Sequence, residues 1–173
     1  MMKKWAWLPL AIFLVLVLFL WRGLSLNPQL LPSTQIGKPL PKIVLPLLYH
    51  EHTNIDLQRL HGRYYLLTIW ASWCEACVEE QPFLLQLARQ GISIIGINYK
   101  DKPAQAKAWL REWGNPYQSI AADRKGMAAV DLGVYGAPET FLINPQGVII
   151  LRHVGILDQQ TWNRDFLPRM HHD

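Results

Sequence analysis

The sequence contains very little cysteine, because Cys74 and Cys77 are the only two among its 173 residues. A disulfide framework needs several cysteine pairs, and a structural zinc site needs four ligands, so two cysteines alone provide neither. The six histidines keep no motif spacing to Cys77; they are His50, His52, His61, His153, His171 and His172. We therefore predict that the protein holds no metal and no cofactor.

The main part of the chain also lacks an excess of charge of either sign. The formal net charge is +4, but Lys3, Lys4 and Arg22 supply three of the 17 lysines and arginines. The rest of the chain has 14 basic residues and 13 acidic ones. Proteins that bind nucleic acids carry a clustered basic surface, so we expect no nucleic-acid partner.

The one long hydrophobic run lies at the N-terminus, from Trp5 to Trp21. Its seventeen residues are at the short end for a membrane-spanning helix. Lys3 and Lys4 precede the run and Arg22 closes it. Basic residues are enriched on the cytoplasmic side of membranes, so the lysines predict a cytoplasmic N-terminus and a translocated C-terminal domain.

A cleaved signal peptide is the alternative interpretation of this run. Its apolar core would be shorter, and a small-residue cleavage site should follow, whereas residues 21–33 offer no good small-x-small step. A retained membrane anchor is therefore favoured. We predict an anchor at residues 1–24, a proline-rich linker at 25–41 and a single globular domain at 42–173, held to the membrane by one transmembrane helix.

The stretch around the two cysteines predicts the chemistry of the chain. Leu66–Trp70 has the composition of a buried strand, and a helix follows from near Cys74 to Arg89. Three residues of separation on the first turn place Cys74 and Cys77 on one face, close enough to bridge. At a helix N-terminus, free backbone N–H groups and the helix dipole favour the thiolate.

A thiolate with a second thiol in reach is a site for thiol–disulfide exchange. The competing interpretation is a structural disulfide, but a Cys-x-x-Cys bridge closes a very small loop and constrains the unfolded chain little. A Cys-x-x-Cys pair between a strand and a helix indicates redox chemistry instead. We therefore predict a redox-active disulfide between Cys74 and Cys77.

The rest of the chain alternates strands with helices, followed by a hairpin and a closing helix. This pattern predicts a mixed α/β sheet with helices on both faces. A short apolar stretch at Lys42–Leu48 could add an edge strand, and Pro82 should kink the first helix of the domain. The further predicted elements are strands at Ile92–Tyr99, Tyr117–Ala121, Thr140–Ile143 and Val148–Val154, and helices at Lys102–Trp113, Lys125–Asp131 and Gln159–Met170.

These residues resemble the thioredoxin superfamily. Trp73-Cys74-Glu75-Ala76-Cys77 follows a buried strand, Pro82 lies five residues past the second cysteine, and Gly136-Ala137-Pro138 precedes a strand. The resemblance implies a thioredoxin-like fold, here with an N-terminal extension. It also implies a cis peptide bond before Pro138, packed against the cysteine pair.

A closer resemblance is to the membrane-anchored thiol:disulfide interchange proteins of cytochrome c biogenesis, the DsbE/CcmG type, which are TlpA-like. It rests on three runs between about Ile36 and Pro168: Gly96-Ile97-Asn98-Tyr99-Lys100-Asp101, Gly114-Asn115-Pro116-Tyr117 and Asp131-Leu132-Gly133-Val134-Tyr135-Gly136-Ala137-Pro138-Glu139-Thr140-Phe141-Leu142-Ile143. The resemblance implies a periplasmic reductase on the inner membrane. Its substrate would be the CxxCH disulfide of apocytochrome c or a haem-ligation component, and its electron donor a DsbD/CcdA-like membrane transporter.

The expected mechanism assigns one role to each site residue. Cys74 is the exposed nucleophile, and Cys77 resolves the mixed disulfide. Glu80 is the candidate acceptor of the Cys77 proton. Pro138 leaves the neighbouring backbone free to hold a substrate strand. We expect Trp73 and, beside Pro138, Ala137 to bind the substrate or shield the pair.

Acidic residues surround the predicted site: Glu75, Glu79, Glu80 and Glu139. The family carries acidic groups that match Glu80 and Glu139, so both are predicted catalytic residues. Thr68 stands where thioredoxin has a buried carboxylate, which leaves proton transfer to Glu80, Glu139 or water. Negative charge near a thiolate disfavours it, so these acids predict a reducing couple, opposed in part by the helix N-terminus.

Three other functions remain open. The first is a general periplasmic thiol reductase. The second is an oxidase or peroxide-scavenging role on the same fold, which requires different groups around Cys74. The third is a thioredoxin-like copper metallochaperone, whose cysteines are spaced one residue wider and accompanied by a histidine; His153 is the only internal candidate.

Overall fold

The structure is a computed structural model and describes residues 7–24 and 35–170. The chain divides into two compact units, Met1–Pro32 and Ser33–Asp173. In the first unit, helix α1 spans Leu8–Leu24, with Pro9 in its first turn, where the missing N–H has no helical partner to lose. Across the described residues, no helix has both the length and the apolar character needed to span a bilayer. The predicted transmembrane helix is therefore not confirmed.

The second unit contains a five-stranded sheet in the order β5-β4-β3-β6-β7. Strands β3 and β4 and strands β4 and β5 run parallel, and β6 and β7 are antiparallel to their neighbours. The mixed sheet predicted from the sequence is confirmed. The strands are β3 (Tyr65–Trp70), β4 (Ile94–Tyr99), β5 (Ser119–Asp123), β6 (Glu139–Ile143) and β7 (Ile149–Val154).

Helices connect and cover these strands: α2 (Glu75–Arg89), α3 (Pro103–Trp113) and α4 (Met127–Asp131). A last helical segment begins with α5 (Gln159–Thr161) and continues through a π-helical turn, Trp162–Phe166, and a 3₁₀ turn, Leu167–Met170. Asp158 caps it, accepting a hydrogen bond from the Thr161 amide at 2.7 Å. Helix α2 continues through Pro82 as one element.

The stretch predicted as an edge strand forms a hairpin of its own. Strand β1 (Val44–Pro46) pairs antiparallel with β2 (Asn54–Asp56), and a 3₁₀ turn, Leu57–Arg59, follows. The Leu48 amide donates to the Ile120 carbonyl, which ties this hairpin to β5. The proline in β1 is tolerated because the strand lies outside the main sheet.

Most of the predicted linker lies outside the described residues, which resume at residue 35. The described part belongs to the packing of the domain: Leu40 is buried, and its amide donates to the Gly147 carbonyl. The Gly37 amide likewise donates to the Ile149 carbonyl. The predicted boundary at residue 42 stays a prediction, but contacts with the domain begin before it.

Two hydrophobic cores lie on opposite faces of the sheet, because side chains alternate along a strand. Leu66 and Trp70 of β3 pack into one core with residues of α2, α3 and the last helical segment. Leu67 and Ile69 pack into the other with residues of α4 and the N-terminal hairpin. Cys74 and Cys77 belong to the first core, which we call the α2 face.

Candidate active site

The cysteine pair lies where the central strand passes into α2. Cys74 is the N-cap of the helix, and its sulfur accepts a hydrogen bond from the Cys77 amide at 3.1 Å. The two sulfurs are joined in a disulfide, and the Cα atoms are 5.3 Å apart. The predicted bridge is therefore present. Its N-terminal sulfur sits where one of the unpaired amides of the first helical turn can stabilise a thiolate.

Both cysteines are buried in this disulfide form, which differs from the exposure expected for Cys74. Cys74 is 5 % exposed and Cys77 2 % exposed. They pack into the α2-face core together with Trp70 and Ala71, and Ala137 lies against that core. Cys74 is thus the more exposed residue by a small margin only, because the turn before α2 packs on the core.

Trp73 stands out as the most exposed aromatic beside the pair, with 56 % of its surface open to solvent. Its indole N–H donates to the carbonyl of Lys100 at 3.1 Å, and its ring lies at a tilt 6.3 Å from that of Tyr99. The side chain is therefore anchored at one edge and open on the other. Such a geometry suits an aromatic that covers a neighbouring site.

The Ala137–Pro138 peptide bond is cis, as the resemblance implied. The Pro138 carbonyl accepts a hydrogen bond from the Gly155 amide at 2.9 Å, so it is already used within the domain. Among the hydrogen bonds of residues 35–170, none involves the backbone of Ala137. The backbone left for a partner is therefore that of Ala137, one residue before the predicted proline.

Glu80 lies one helical turn past Cys77 and is almost completely buried, with 1 % of its surface exposed. Its Oε1 accepts a hydrogen bond from the Leu157 amide at 2.9 Å. Burial raises the pKa of Glu80 to about 8, and the Leu157 amide offsets part of that rise. Burial, and secondarily Glu80, raise the pKa of Tyr117 well above its ordinary value. Glu80 is thus mostly protonated at pH 7.

Glu139 is equally buried but has a cationic partner. Its Oε2 accepts from Nε of Arg152 at 2.8 Å and lies 2.7 Å from a terminal guanidinium nitrogen, and its Oε1 accepts from the Tyr135 amide at 3.0 Å. Arg152 also donates to the Gly133 carbonyl at 2.9 Å. The ion pair therefore holds the loop that leads to Pro138.

The two predicted catalytic carboxylates lie on opposite faces of the sheet. Side chains alternate between the two faces along β6, so Glu139 and Thr140 point to opposite faces. Glu139 shares its face with Phe141, which packs in the core away from the α2 face. Glu80 projects from α2, on the same side as the cysteines. Of the four acids expected around the pair, Glu139 therefore lies on the other face of the sheet, and the other three lie on α2. Glu75 and Glu79 are exposed on α2.

Thr68, which replaces a carboxylate of thioredoxin, points to the α2 face with the parity of Leu66 and Trp70. It is fully buried, and the Thr140 hydroxyl donates to its hydroxyl at 3.4 Å. On this face Glu80 therefore remains the buried carboxyl from the predicted set.

Reasoning from the sequence missed two residues that organise the site, Arg152 and Asp101. Arg152 is a charged residue inside an otherwise apolar strand, a signal that could have prompted a search for a buried partner. Asp101 follows the carboxyl end of β4, next to the strand that leads to the cysteines. Polar residues at that edge of parallel strands often serve a site, so its position carried a signal as well.

No metal site emerges from the described part of the chain, where no group of three or more histidine, cysteine and acidic side chains comes together. His153, the histidine considered for copper, contacts the Ile156 carbonyl through Nε2 at 3.0 Å. Its ring meets that of Phe166 edge-on at 6.4 Å.

Comparison with known proteins places this chain in a family. The Redoxin family matches residues 35–165. A thiol:disulfide interchange protein DsbE from Pseudomonas aeruginosa is 47 % identical over 161 residues, which cover 93 % of this chain and 89 % of that protein. A protein of the same name from Escherichia coli is 42 % identical over 174 residues, covering 97 % of this chain and 94 % of that protein.

Among solved structures, a DsbE-type thiol:disulfide interchange protein from Chlorobium tepidum superimposes with a TM-score of 0.63 at 28 % identity. The superposition covers 72 % of this chain and 89 % of that chain. These similarities agree with the bridged Cys74–Cys77 pair at the start of α2, which is the chemical centre of a disulfide reductase. The chain belongs to the Redoxin family and, within it, to the thiol:disulfide interchange proteins of the DsbE type.

Proposed function

We propose that this protein reduces the CxxCH disulfide of apocytochrome c, or of a haem-ligation component, during cytochrome c maturation. The observation that carries the proposal is the Cys74–Cys77 pair at the N-terminus of α2, with the protonatable Glu80 one turn further on. The substrate class rests on the resemblance of the Gly96–Asp101 and Asp131–Ile143 runs to cytochrome c biogenesis proteins.

The first step is attack by the Cys74 thiolate on one sulfur of the substrate disulfide. A bond forms between the Cys74 sulfur and that sulfur, and the other substrate sulfur leaves as a thiolate. The Cys77 amide, which lies 3.1 Å from the Cys74 sulfur, stabilises the attacking charge. Cys74 takes this role because it caps the helix and is the more accessible of the two sulfurs.

In the second step the Cys77 thiolate attacks the Cys74 sulfur, which releases the second substrate thiolate. The substrate gains two electrons and the cysteine pair becomes a disulfide. Glu80 exchanges the Cys77 proton. With a pKa of about 8 the carboxyl is close to the working pH, where proton exchange is efficient in both directions. At pH 7 only the minor ionised fraction accepts a proton.

The substrate strand is held by the backbone of Ala137, next to the cis-proline. Its N–H and C=O have no partner among residues 35–170 and can pair with an extended peptide, as in edge-strand recognition. We expect the exposed ring of Trp73 to cover one side of the pair. A Cys-x-x-Cys-His segment bound in this way brings its disulfide to Cys74.

The protein works at the inner membrane, anchored by its N-terminal segment with the domain in the periplasm. Lys3 and Lys4 ahead of the apolar run favour this orientation. A DsbD/CcdA-like transporter in the membrane returns the pair to the dithiol. A reporter fused after Arg22 should be active only outside the cytoplasm; activity confined to the cytoplasm, or a mature N-terminus beyond Leu20, contradicts the anchor.

Trapping the mixed disulfide tests the substrate. The full-length Cys77→Ser variant cannot resolve the adduct, so it should accumulate a covalent complex with apocytochrome c or a haem-ligation component, identified by mass spectrometry. The matched Cys74→Ser variant lacks the proposed nucleophile and should not trap this adduct. Many unrelated periplasmic partners would instead indicate a general thiol reductase.

A copper titration of the reduced protein tests the metallochaperone alternative.

A further inference from the structure

Asp101 is a buried carboxylate that the exchange chemistry leaves unexplained. It is 8 % exposed and follows β4 directly after Lys100, which has a left-handed φ of 46°. Four donors surround it. Oδ2 accepts from the Ser72 amide at 2.6 Å and the Asn98 side-chain amide at 2.9 Å, and Oδ1 accepts from the Ser72 hydroxyl at 2.8 Å and the Lys102 amide at 2.7 Å.

These bonds join two turns at the same edge of the sheet. Ser72 lies two residues before Cys74 in the turn from β3 to α2, and Lys102 begins the connection to α3. The indole N–H of Trp73 adds a second link between the turns through the Lys100 carbonyl at 3.1 Å. The backbone that delivers Cys74 to the helix N-terminus is therefore fixed from the neighbouring strand.

The buried aspartate at the end of the neighbouring strand does not share this pattern. Asp123, at the end of the next parallel strand β5, is also buried, and its Oδ2 accepts from the Ala129 amide at 3.0 Å. That bond supports α4, on the other face of the sheet. A charged oxygen acceptor makes stronger hydrogen bonds than a neutral one, and the two oxygens of a carboxylate together offer enough lone pairs for all four donors.

We propose that Asp101 is a positioning residue for the nucleophile: it holds Ser72 so that the Cys74 sulfur keeps the Cys77 N–H donor when the disulfide is reduced. The sulfurs separate on reduction, and the turn before α2 is then free to relax unless another element restrains it. A restrained turn keeps the thiolate at the helix N-terminus, where it is stabilised. The proposal rests on the thiol–disulfide exchange of the pair and not on any particular substrate.

Two roles of Asp101 predict opposite signs for its neutralisation. If its negative charge acted directly, Asp101→Asn would remove repulsion and favour the Cys74 thiolate. If it acts by positioning, the asparagine NH2 meets donors of Ser72 or Lys102, the turn loosens, and the thiolate loses its stabilising amide. The other ionisable groups on the surrounding elements are the same in the wild-type protein and in Asp101→Asn: Glu75, Glu80, Lys100, Lys102, Glu139 and Arg152.

The test is the pH profile of iodoacetamide alkylation in the reduced full-length protein, with peptide mapping to assign each thiol. We expect the midpoint for Cys74 in Asp101→Asn to rise by roughly half to one pH unit, with the rate at pH 7 about three- to tenfold lower. The matched control Asp123→Asn should lose thermal stability but keep the wild-type midpoint. Alkylation needs no partner protein, so an incorrect substrate assignment does not affect this result.

Ser72→Ala is a gentler variant that removes the hydroxyl bond to Asp101 and keeps the backbone bond. It should move the Cys74 midpoint in the same direction by a smaller amount, and it decides the question if Asp101→Asn does not fold. A midpoint that falls in either variant shows a direct charge effect and overturns the proposal. Loss of thermal stability with an unchanged midpoint shows a purely structural role and overturns it as well.

Discussion

Two carboxylates of equal burial, Glu80 and Glu139, have different surroundings on the two faces of one sheet. Glu80 accepts one hydrogen bond, from the backbone amide of Leu157 at 2.9 Å. Glu139 accepts hydrogen bonds from the guanidinium of Arg152 and from the Tyr135 amide. Burial without a cation favours the neutral acid at Glu80, whereas Glu139 lies in a buried ion pair with Arg152. Equal burial therefore produces a proton-exchanging group in one case and a structural ion pair in the other.

This difference changes the electrostatic account expected from the sequence. Counting acids near the cysteines treats Glu80 and Glu139 as two similar negative charges. At pH 7 Glu80 is mostly neutral because burial raises its pKa to about 8, and the charge of Glu139 is balanced by Arg152. A reducing couple therefore cannot be derived from net negative charge alone, and the surroundings of each carboxyl decide its contribution.

The largest effect should come from separating the ion pair. Arg152→Met keeps an apolar stem but leaves the Glu139 carboxylate buried without its cation, which should lower the free energy of unfolding by on the order of 4 kcal/mol. Urea unfolding at pH 7 measures it. Adding Glu139→Gln removes the stranded charge, so the double variant should recover much of the loss.

The exposed pair Arg124 and Glu51 provides a control on the same protein. It is a comparable contact at 2.7 Å but is open to solvent, so Arg124→Met should change the unfolding free energy little. If Arg152→Met proves as mild as Arg124→Met, the ion pair does not hold this side of the domain.

The second effect is a dependence of stability on pH. Glu80 has a folded-state pKa of about 8, above the ordinary 4.5, so the folded state binds more protons than the unfolded state between these values. The free energy of unfolding should therefore fall as pH rises from about 4.5 to 8, by roughly 4 kcal/mol from this group. Denaturant unfolding at several pH values measures the slope.

Glu80→Gln should flatten this part of the stability profile, because glutamine does not titrate and its carbonyl can still accept the Leu157 amide. Comparing variant with wild type cancels the contribution of other titrating groups. Equal slopes in the two proteins would mean that Glu80 is already ionised in the folded state, and the contrast with Glu139 would disappear.

The third effect separates the two carboxyls in catalysis. Glu80→Gln removes the group proposed to exchange the Cys77 proton, so resolution of the mixed disulfide should slow by roughly 10- to 100-fold. Stopped-flow kinetics with a model peptide disulfide resolves attack from resolution. Glu139→Gln should leave the resolution step near wild type and weaken peptide binding instead, because Glu139 supports the loop before Ala137.

The smallest effect concerns the reduction potential. Glu139→Gln leaves the Arg152 charge unbalanced, which favours the thiolate and should make the couple more oxidising, by about 30 mV at most. Glu80→Gln should shift it less at pH 7, because most of Glu80 is neutral there. Equilibration with glutathione measures both. Similar shifts toward a more oxidising couple in Glu80→Gln and Glu139→Gln would restore the account based on counting acids.

Much of the fold could be read from local patterns. Every strand of the main sheet was expected within a few residues, because apolar β-branched runs bounded by turn residues have a clear signature. The pairing of the stretch 42–48 was harder to predict. Its strand β1 pairs with β2 in a separate hairpin, is bridged to β5 through Leu47 and Ala121, and packs on the second core of the sheet; no local pattern encodes that choice of partner.

The site was also predicted only in part, because local patterns do not encode contacts between residues that are distant in the sequence. The Cys74–Cys77 bridge depends on a helical turn, and the cis bond at Pro138 was implied by the resemblance. The exposure of Cys74 was not predictable, since it depends on how the turn before α2 packs on the core. The roles of Asp101 and Arg152 were missed because their partners are distant in the sequence.

The sequence by itself determined the reactive pair, its place at a helix N-terminus and the order of strands and helices, because these depend on residues within one or two turns of each other. The tertiary structure alone decided which partners each carboxyl has. Each carboxyl is hydrogen-bonded to a residue that is distant in the sequence. The separation is 77 residues for Leu157 and Glu80, 29 for Ser72 and Asp101, and 13 for Arg152 and Glu139. The charge of a buried group depends on the donors and cations that folding brings within hydrogen-bond distance, and this sequence does not place them next to each other.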